Sequence, residues 1–340
     1  MRGTVVVENL TKTYHTKQRK GLFKSVPRDV EALKGVSMDV KEGEIFGLLG
    51  PNGAGKTTMI KILSTLLLPS SGTARLNGYD VMTDDNAVRA TVGCMLMGDR
   101  GLYWKLTGRE NLMYFGALYH YSPADRKRRA QEIIDMLDLG DLADRSVETY
   151  SSGQKMKLAF GKALINDAPL LILDEPTNTL DVPSASELRA IVRQKNQQEG
   201  KTVIYTTHIM AEAETLCDRV AIIDYGELLA MGRVPDLKAS LGREHITRIA
   251  GVIPSKAVEE VKKLPAVSQA TLGSVDGMAE LTVMSHNGTD TLARLIETLS
   301  HVGATIQKIT PQDVTLEDVF IAKTGRTLAE NTAVEIAAKK

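Results

Sequence analysis

Cysteine is scarce in this 340-residue chain: Cys94 and Cys217 stand far apart with no metal-ligand spacing. That leaves no cysteine metal site, and both thiols read as small core residues in a reducing compartment. Net charge is missing as well. The 42 basic residues balance 42 acidic ones, so no global field draws the chain to nucleic acid or to an anionic membrane. Aromatics make up 4% of the residues, with a single tryptophan, Trp104. No apolar run approaches the ~20 residues that cross a bilayer, and no signal peptide is visible. The chain is therefore expected to be soluble, with any membrane role supplied by a partner. What is present, 43% hydrophobic and 25% charged residues, suits a globular protein, and the length favours about two domains.

The most informative run is Gly50-Pro51-Asn52-Gly53-Ala54-Gly55-Lys56-Thr57-Thr58. It fits a phosphate-binding loop: a glycine, four residues, then Gly-Lys-Ser/Thr. Glycines let the backbone fold tightly so that successive N–H groups aim at phosphate oxygens. Lys56 offers a mobile charge for the β- and γ-phosphates, and the Thr57 hydroxyl can ligate Mg²⁺. The apolar run Glu44–Gly50 before the loop reads as a buried strand. Residues Thr58–Leu68 after it carry Met59, Ile62, Leu63 and Leu66 at helical spacing. Strand, loop, helix is the order that sets phosphates at a helix N-terminus.

Strands at 3–10 and 29–40 are expected to flank a basic cluster, Lys17, Arg19, Lys20, Lys24 and Arg28. A solvated hairpin loop is preferred there over a lipid or nucleic-acid contact. Residues 98–162 read as mostly helical, including an amphipathic stretch through Ala130, Ile133, Ile134, Leu137 and Leu139. Beyond it, strands at Leu170–Leu173, Val203–Tyr205 and Val220–Ile223 alternate with a helix over Ser184–Gln198, which implies a mainly parallel sheet covered on both faces. The texture changes around Pro235–Gly242. After it come strand 245–253, helix 255–264, strand 267–275, strand 279–284, helix 290–302 and strand 304–310, with Asp276-Gly277 as a hairpin turn. That βαββαβ order is the ferredoxin-like arrangement.

Leu170–Glu175 is an apolar strand ending in two carboxylates. Ligands of open α/β sheets bind at carboxyl ends of strands, so Asp174 is placed to hold Mg²⁺ and Glu175 to polarise an attacking water. Tyr150-Ser151-Ser152-Gly153-Gln154 precedes a basic helix, and Ser151 reads as its N-cap.

Together these motifs resemble the nucleotide-binding subunit of ATP-binding-cassette (ABC) transporters over roughly residues 3–235. Gly50–Thr58 is similar to the Walker A loop, Tyr150–Gln154 to the signature motif and Leu170–Glu175 to Walker B. Asn178–Asp181 resembles the D-loop, and His208 the switch histidine. Tyr14 sits where the family stacks an aromatic ring on adenine, although a packing role would also suit it. The resemblance implies a P-loop NTPase cassette over 1–235. This cassette has a mainly parallel sheet, an antiparallel β subdomain and a helical subdomain at about 98–162. A ferredoxin-like α+β domain would follow over 243–325, with a flexible tail at 326–340. It further implies that two cassettes close on two ATP molecules as a homodimer or paired cassette. Each ATP would then lie between Lys56, Glu175 and His208 of one subunit and Ser151 and Gly153 of the other.

Two departures stand out. The family's glutamine after the Val92-Gly93 strand would fall at Met97 or Gly98, neither of which ligates a cation through its side chain; Asp99 is the nearest substitute. The signature carries Tyr150 and Ser152 for leucine and glycine. The segment Arg100–Leu112, with Tyr103 and Trp104, resembles the region that receives a coupling helix of a multi-span permease; local packing is the alternative for the two rings. Residues Thr315–Gly325 look like the closing helix of the accessory domain in drug- and antibiotic-exporter ATPases. The expected protein is an ATPase on the cytoplasmic side of a membrane that drives an exporter. A soluble ABC-type machine or a regulatory nucleotide-binding subunit is the alternative.

Overall fold

The computed structural model describes residues 4–20, 24–96, 101–241, 245–275, 278–285, 288–312 and 314–325. Met97, Gly98, Asp99, Arg100, the Asp276-Gly277 turn and the 326–340 tail lie outside them. The chain divides between Met231 and Gly232 into two compact units.

The first unit begins with two long strands, β1 (Val5–Lys20) and β2 (Lys24–Val40), followed by β3 (Ile45–Leu49), α1 (Lys56–Leu63), β4 (Ser71–Leu76), β5 (Tyr79–Asp80), α2 (Asp85–Thr91) and β6 (Val92–Met95). Three helices come next: α3 (Gly108–Leu118), α4 (Pro123–Met136) and α5 (Ser152–Leu164). The unit closes with β7 (Leu170–Asp174), α6 (Val182–Glu199), β8 (Thr202–Thr207), α7 (Met210–Leu216), β9 (Arg219–Asp224) and β10 (Glu227–Arg233), the last running just past the division.

Strands β2, β1, β4 and β5 form a four-stranded sheet in that order, with β1 antiparallel to both neighbours. The six-stranded sheet runs β10-β9-β3-β8-β7-β6, and its pairs β3–β8, β3–β9, β7–β8 and β6–β7 are parallel. Every residue of β3, β7 and β8 is buried. Continuous apolar runs such as Leu170–Leu173 are what a parallel sheet covered on both faces demands. Helices α3, α4 and α5 pack on one another; Ala130, Ile133 and Ile134 of α4 are buried.

Two boundaries differ from the expectation. The basic cluster does not occupy an open loop: β1 and β2 stay paired out to Lys20 and Lys24. The helix after the phosphate loop stops at Leu63 instead of Leu68. Ser64 Oγ donates back to the Ile60 carbonyl at 2.8 Å and Thr65 takes φ +60°, so the chain leaves the helix. Leu66 is consequently exposed rather than packed.

The second unit contains α8 (Val234–Ala239), β11 (His245–Val252), α9 (Ala257–Lys262), β12 (Val267–Val275), β13 (Met278–Ser285), α10 (Gly288–His301), β14 (Thr305–Gln312) and α11 (Leu316–Thr324). Its sheet runs β12-β13-β11-β14, antiparallel at each pairing. This is the ferredoxin-like order. Ile249, Leu281, Val283, Leu295 and Leu299 form its core. A capping box starts α11: Thr315 Oγ1 accepts the Asp318 N–H, and Asp318 accepts from Thr315. Gly325 ends the helix at φ +75°.

Candidate functional site

Three neighbouring parallel strands deliver the site. In the ladder Leu49 stands opposite Thr207, and Asp174 opposite Thr206. The phosphate loop after β3, the carboxylates at the end of β7 and His208 after β8 therefore emerge at one sheet edge.

The loop itself depends on Gly55, the N-cap of α1, at φ +110°. A Cβ there would stand 2.6 Å from the Ala32 carbonyl oxygen. Only glycine meets both conditions. Lys56 is buried inside the loop and donates to the carbonyls of Gly50 at 2.6 Å and Pro51 at 3.0 Å. Residues Pro51–Thr58, Ala32 and Glu175 line one cavity of about 240 Å³. Tyr14 approaches the first turn of α1, with its hydroxyl 3.4 Å from Thr58 Oγ1.

Asp174 is fully buried. It accepts from Thr57 Oγ1 at 3.1 Å and from Thr206 Oγ1 at 2.7 Å. Burial pushes its carboxyl above the usual range, and the two hydroxyls oppose that without cancelling it. Glu175, one residue on, sits in the left-handed region at φ +49°, a strained placement for a residue with a side chain. Thr206 holds it there: the Glu175 N–H donates to Thr206 Oγ1 at 3.0 Å. Glu175 Oε1 lies 3.5 Å from Lys56 Nζ and 3.3 Å from His208 Nδ1, the latter out of line for a hydrogen bond. Burial works upward on the Glu175 carboxyl too, but His208 and Lys56 outweigh it and leave it below the usual range. Adjacent acids pushed in opposite directions mark a site with divided roles.

An uncompensated buried carboxylate beside a hydroxyl suits a hard cation. Glu175 Oε2 is also buried and, among the described residues, has no hydrogen-bond partner. The donor set fits Mg²⁺.

The signature residues stand elsewhere. Ser151 caps α5 with a reciprocal box: its Oγ accepts the Gln154 N–H at 3.2 Å, and Gln154 Oε1 accepts the Ser151 N–H at 2.8 Å. Ser151–Gln154 share a cavity of about 420 Å³ with Thr179, Leu180 and Asp181. Among the described residues none lines both this cavity and that of the phosphate loop. Asp181 caps α6 by accepting the Ser184 N–H. Tyr150, in place of the usual leucine, is buried and donates to the Leu142 carbonyl at 2.5 Å.

Trp104 and Tyr103 are half exposed, yet their backbone is fixed. Asn111, fully buried, bonds the Tyr103 N–H and carbonyl, and the Trp104 carbonyl accepts from Ser146 Oγ and the Glu148 N–H. The Trp104 ring carries Lys155 Nζ at 4.3 Å from its centroid. Cys217 is buried and Cys94 packs, partly buried, against the core; burial raises the Cys94 thiol to about 11 and raises Cys217 further.

Sequence reasoning missed Thr206, which serves both carboxylates, and Ala32, which closes the loop cavity. Thr206 had a faint signal as the penultimate residue of a β-branched strand run. Ala32 had none, because it arrives from β2.

Comparison with known proteins points one way. Residues 33–178 match the family model described as ABC transporter, and 232–324 match that of the C-terminal domain of DrrA1-3-like ATP-binding proteins. The daunorubicin/doxorubicin resistance ATP-binding protein DrrA of Streptomyces peucetius is 36% identical over 94% of this chain and 96% of its own length. The linearmycin resistance ATP-binding protein LnrL of Bacillus subtilis is 35% identical over 88% of this chain and 95% of its own. A dimeric ATP-binding cassette, MJ0796, solved in a post-hydrolysis state with ADP and Pi, superposes with a TM-score of 0.60 at 28% identity, covering 67% of this chain and 98% of that one. The chain belongs to the ABC transporter family, as one of its ATP-binding, ATP-hydrolysing subunits.

Proposed function

We propose that this subunit powers an exporter. It would bind ATP·Mg²⁺ on the phosphate loop and close against a second cassette, transmitting that closure to a separate permease. The convergence of Lys56, Thr57, Asp174, Glu175 and His208 at one sheet edge carries the reading. In this assignment the backbone of Gly50–Thr58 cradles the phosphates, Lys56 turns from its own loop carbonyls to the β/γ-phosphates, and Tyr14 flanks the adenine. Thr57 and Asp174 would hold Mg²⁺, which neutralises phosphate charge. Glu175, kept ionised by Lys56 and His208, accepts the proton of the attacking water, and His208 faces the γ-phosphate.

Ser151, Ser152, Gly153 and Gln154 would complete the pocket of the opposing subunit, with Asp181 beside them. Their separate cavity supports this, since a signature that served its own phosphate loop would share lining with it. Residues 1–235 are assigned to the cassette, with its helical part near 98–162, and 243–325 to the accessory domain. Among the described residues no helix is long and apolar enough to cross a membrane, so the translocation path is assigned to a partner, with this chain peripheral on the cytoplasmic face. The half-exposed Tyr103 and Trp104 on a rigid loop suit the docking point. Export follows the two resistance proteins, whose length this chain nearly spans. The test is co-purification under gentle detergent extraction. A multi-span membrane protein should accompany the chain, and its absence would count against transport.

A further inference from the structure

One buried carboxylate has no part in that scheme. Glu212, in the first turn of α7, is 8% exposed. Its Oε2 accepts three hydroxyls: Thr177 Oγ1 at 2.9 Å, Tyr205 OH at 3.2 Å and Thr207 Oγ1 at 3.2 Å. Its Oε1 accepts Arg189 Nη1 of α6 at 2.6 Å. Such a convergence stabilises an ionised group away from water.

The partners are notable for what they flank. Thr207 precedes His208, and its Oγ1 also accepts the Ile209 N–H at 2.9 Å. The Glu212 N–H donates to the Ile209 carbonyl at 3.1 Å. Glu212 thus grips the turn on both sides of His208. Thr177 lies two residues beyond Glu175, in a turn closed by the Asn178 N–H on the Glu175 carbonyl at 3.2 Å. Arg189 belongs to the helix that Asp181 caps.

We propose that Glu212 is a positioning residue: one carboxylate ties the segment after Glu175 to the turn bearing His208, and so sets the spacing of that pair. The inference rests on the roles given above to Glu175 and His208. A neutral amide at this position cannot accept from three hydroxyls and a guanidinium together. The amide N–H of the variant would compete with the Ile209 N–H for Thr207 Oγ1, and the turn would loosen. Misplacement of a reacting group by about 1 Å costs up to roughly a hundredfold in rate.

The test is a double-mutant cycle of Glu212→Gln and His208→Ala, reading single-turnover hydrolysis and ATP affinity on the full chain. Glu212→Gln should lower the hydrolysis rate by about tenfold or more and leave ATP affinity within about threefold. In the His208→Ala background the same change should cost less than about threefold, because the residue it positions is gone. Full activity in Glu212→Gln overturns the proposal, and so does an undiminished loss in the His208→Ala background, which a merely structural role would give. Full activity in His208→Ala overturns the underlying reading of His208 instead. Should Glu212→Gln fail to fold, the isosteric Thr207→Val carries the same cycle with the same outcomes, since it removes the Glu212 and Ile209 contacts together.

Discussion

Glu175 Oε1 stands between His208 Nδ1 at 3.3 Å and Lys56 Nζ at 3.5 Å. A single oxygen therefore links the phosphate loop to the residues that end β7 and β8. It also explains why a carboxylate 5% exposed stays ionised: Lys56 and His208 close to it outweigh the burial that would protonate it.

That oxygen should be dispensable for binding and essential for turnover. Glu175→Gln keeps the shape and a hydrogen-bonding group but cannot take the proton of water. Loss of a general base typically costs about 10²–10⁴-fold. ATP affinity should change little, and size-exclusion chromatography with ATP should show dimer accumulating. A monomer with wild-type turnover would refute the composite site.

Asp174 gives a pH prediction. Its native carboxyl holds the proton more tightly than the unfolded chain does. Stability from this group therefore falls as pH rises through the interval between the unfolded and native values, and the cost is fully present above the native value. Asp174→Asn should raise the melting temperature of the nucleotide-free protein at pH 7, by about 2–4 °C for each kcal/mol relieved. The gain should fade below the ordinary carboxylate range. The same variant should lose most of the thermal shift that Mg²⁺-ATP gives the wild type.

Gly55→Ala tests the loop from the backbone side. The new Cβ would need φ +110° and a 2.6 Å approach to the Ala32 oxygen. Strain of this kind costs about 1–3 kcal/mol, and relief requires α1 or β2 to shift. ATP binding should fall by at least about tenfold in equilibrium titration. Lys56→Ala, which adds no backbone strain but removes the charge assigned to the phosphates, should abolish it.

Legibility followed the range of the signal. The phosphate loop and the Asp174-Glu175 pair are contiguous residues with a chemical rationale at each position, and their spacing alone indicated the site. Helix α1 was overrun because Leu66 keeps helical spacing after the helix has ended. Periodicity cannot register that Thr65 adopts a positive φ or that Ser64 bonds backward. The outer β1–β2 arm was read as a loop because Lys17–Lys20 and Lys24–Arg28 show no apolar periodicity, yet backbone pairing continues out to Lys20 and Lys24. Thr206, Ala32 and Glu212 were invisible for another reason. Thr206 and Ala32 act across more than 20 residues of sequence, and Glu212 joins Thr207 five residues away to Thr177 and Arg189 more than 20 away, so strand order and helix packing bring these groups together and no local pattern encodes that.

The last prediction concerns Trp104. An exposed ring normally costs little to remove, but this one lies on Lys155, and its loop is pinned by Asn111, Ser146 and Glu148. A rigid, half-exposed aromatic is what a partner can grip without an ordering penalty. If it anchors the permease, Trp104→Ala should weaken co-purification by about 30-fold or more, the equivalent of a hot spot of roughly 2 kcal/mol. ATP affinity of the isolated subunit should stay within about twofold, because no described residue of its loop lines the phosphate cavity. If the ring merely packs against the signature helix, the outcome inverts: the subunit's melting temperature falls and the permease is retained at wild-type yield.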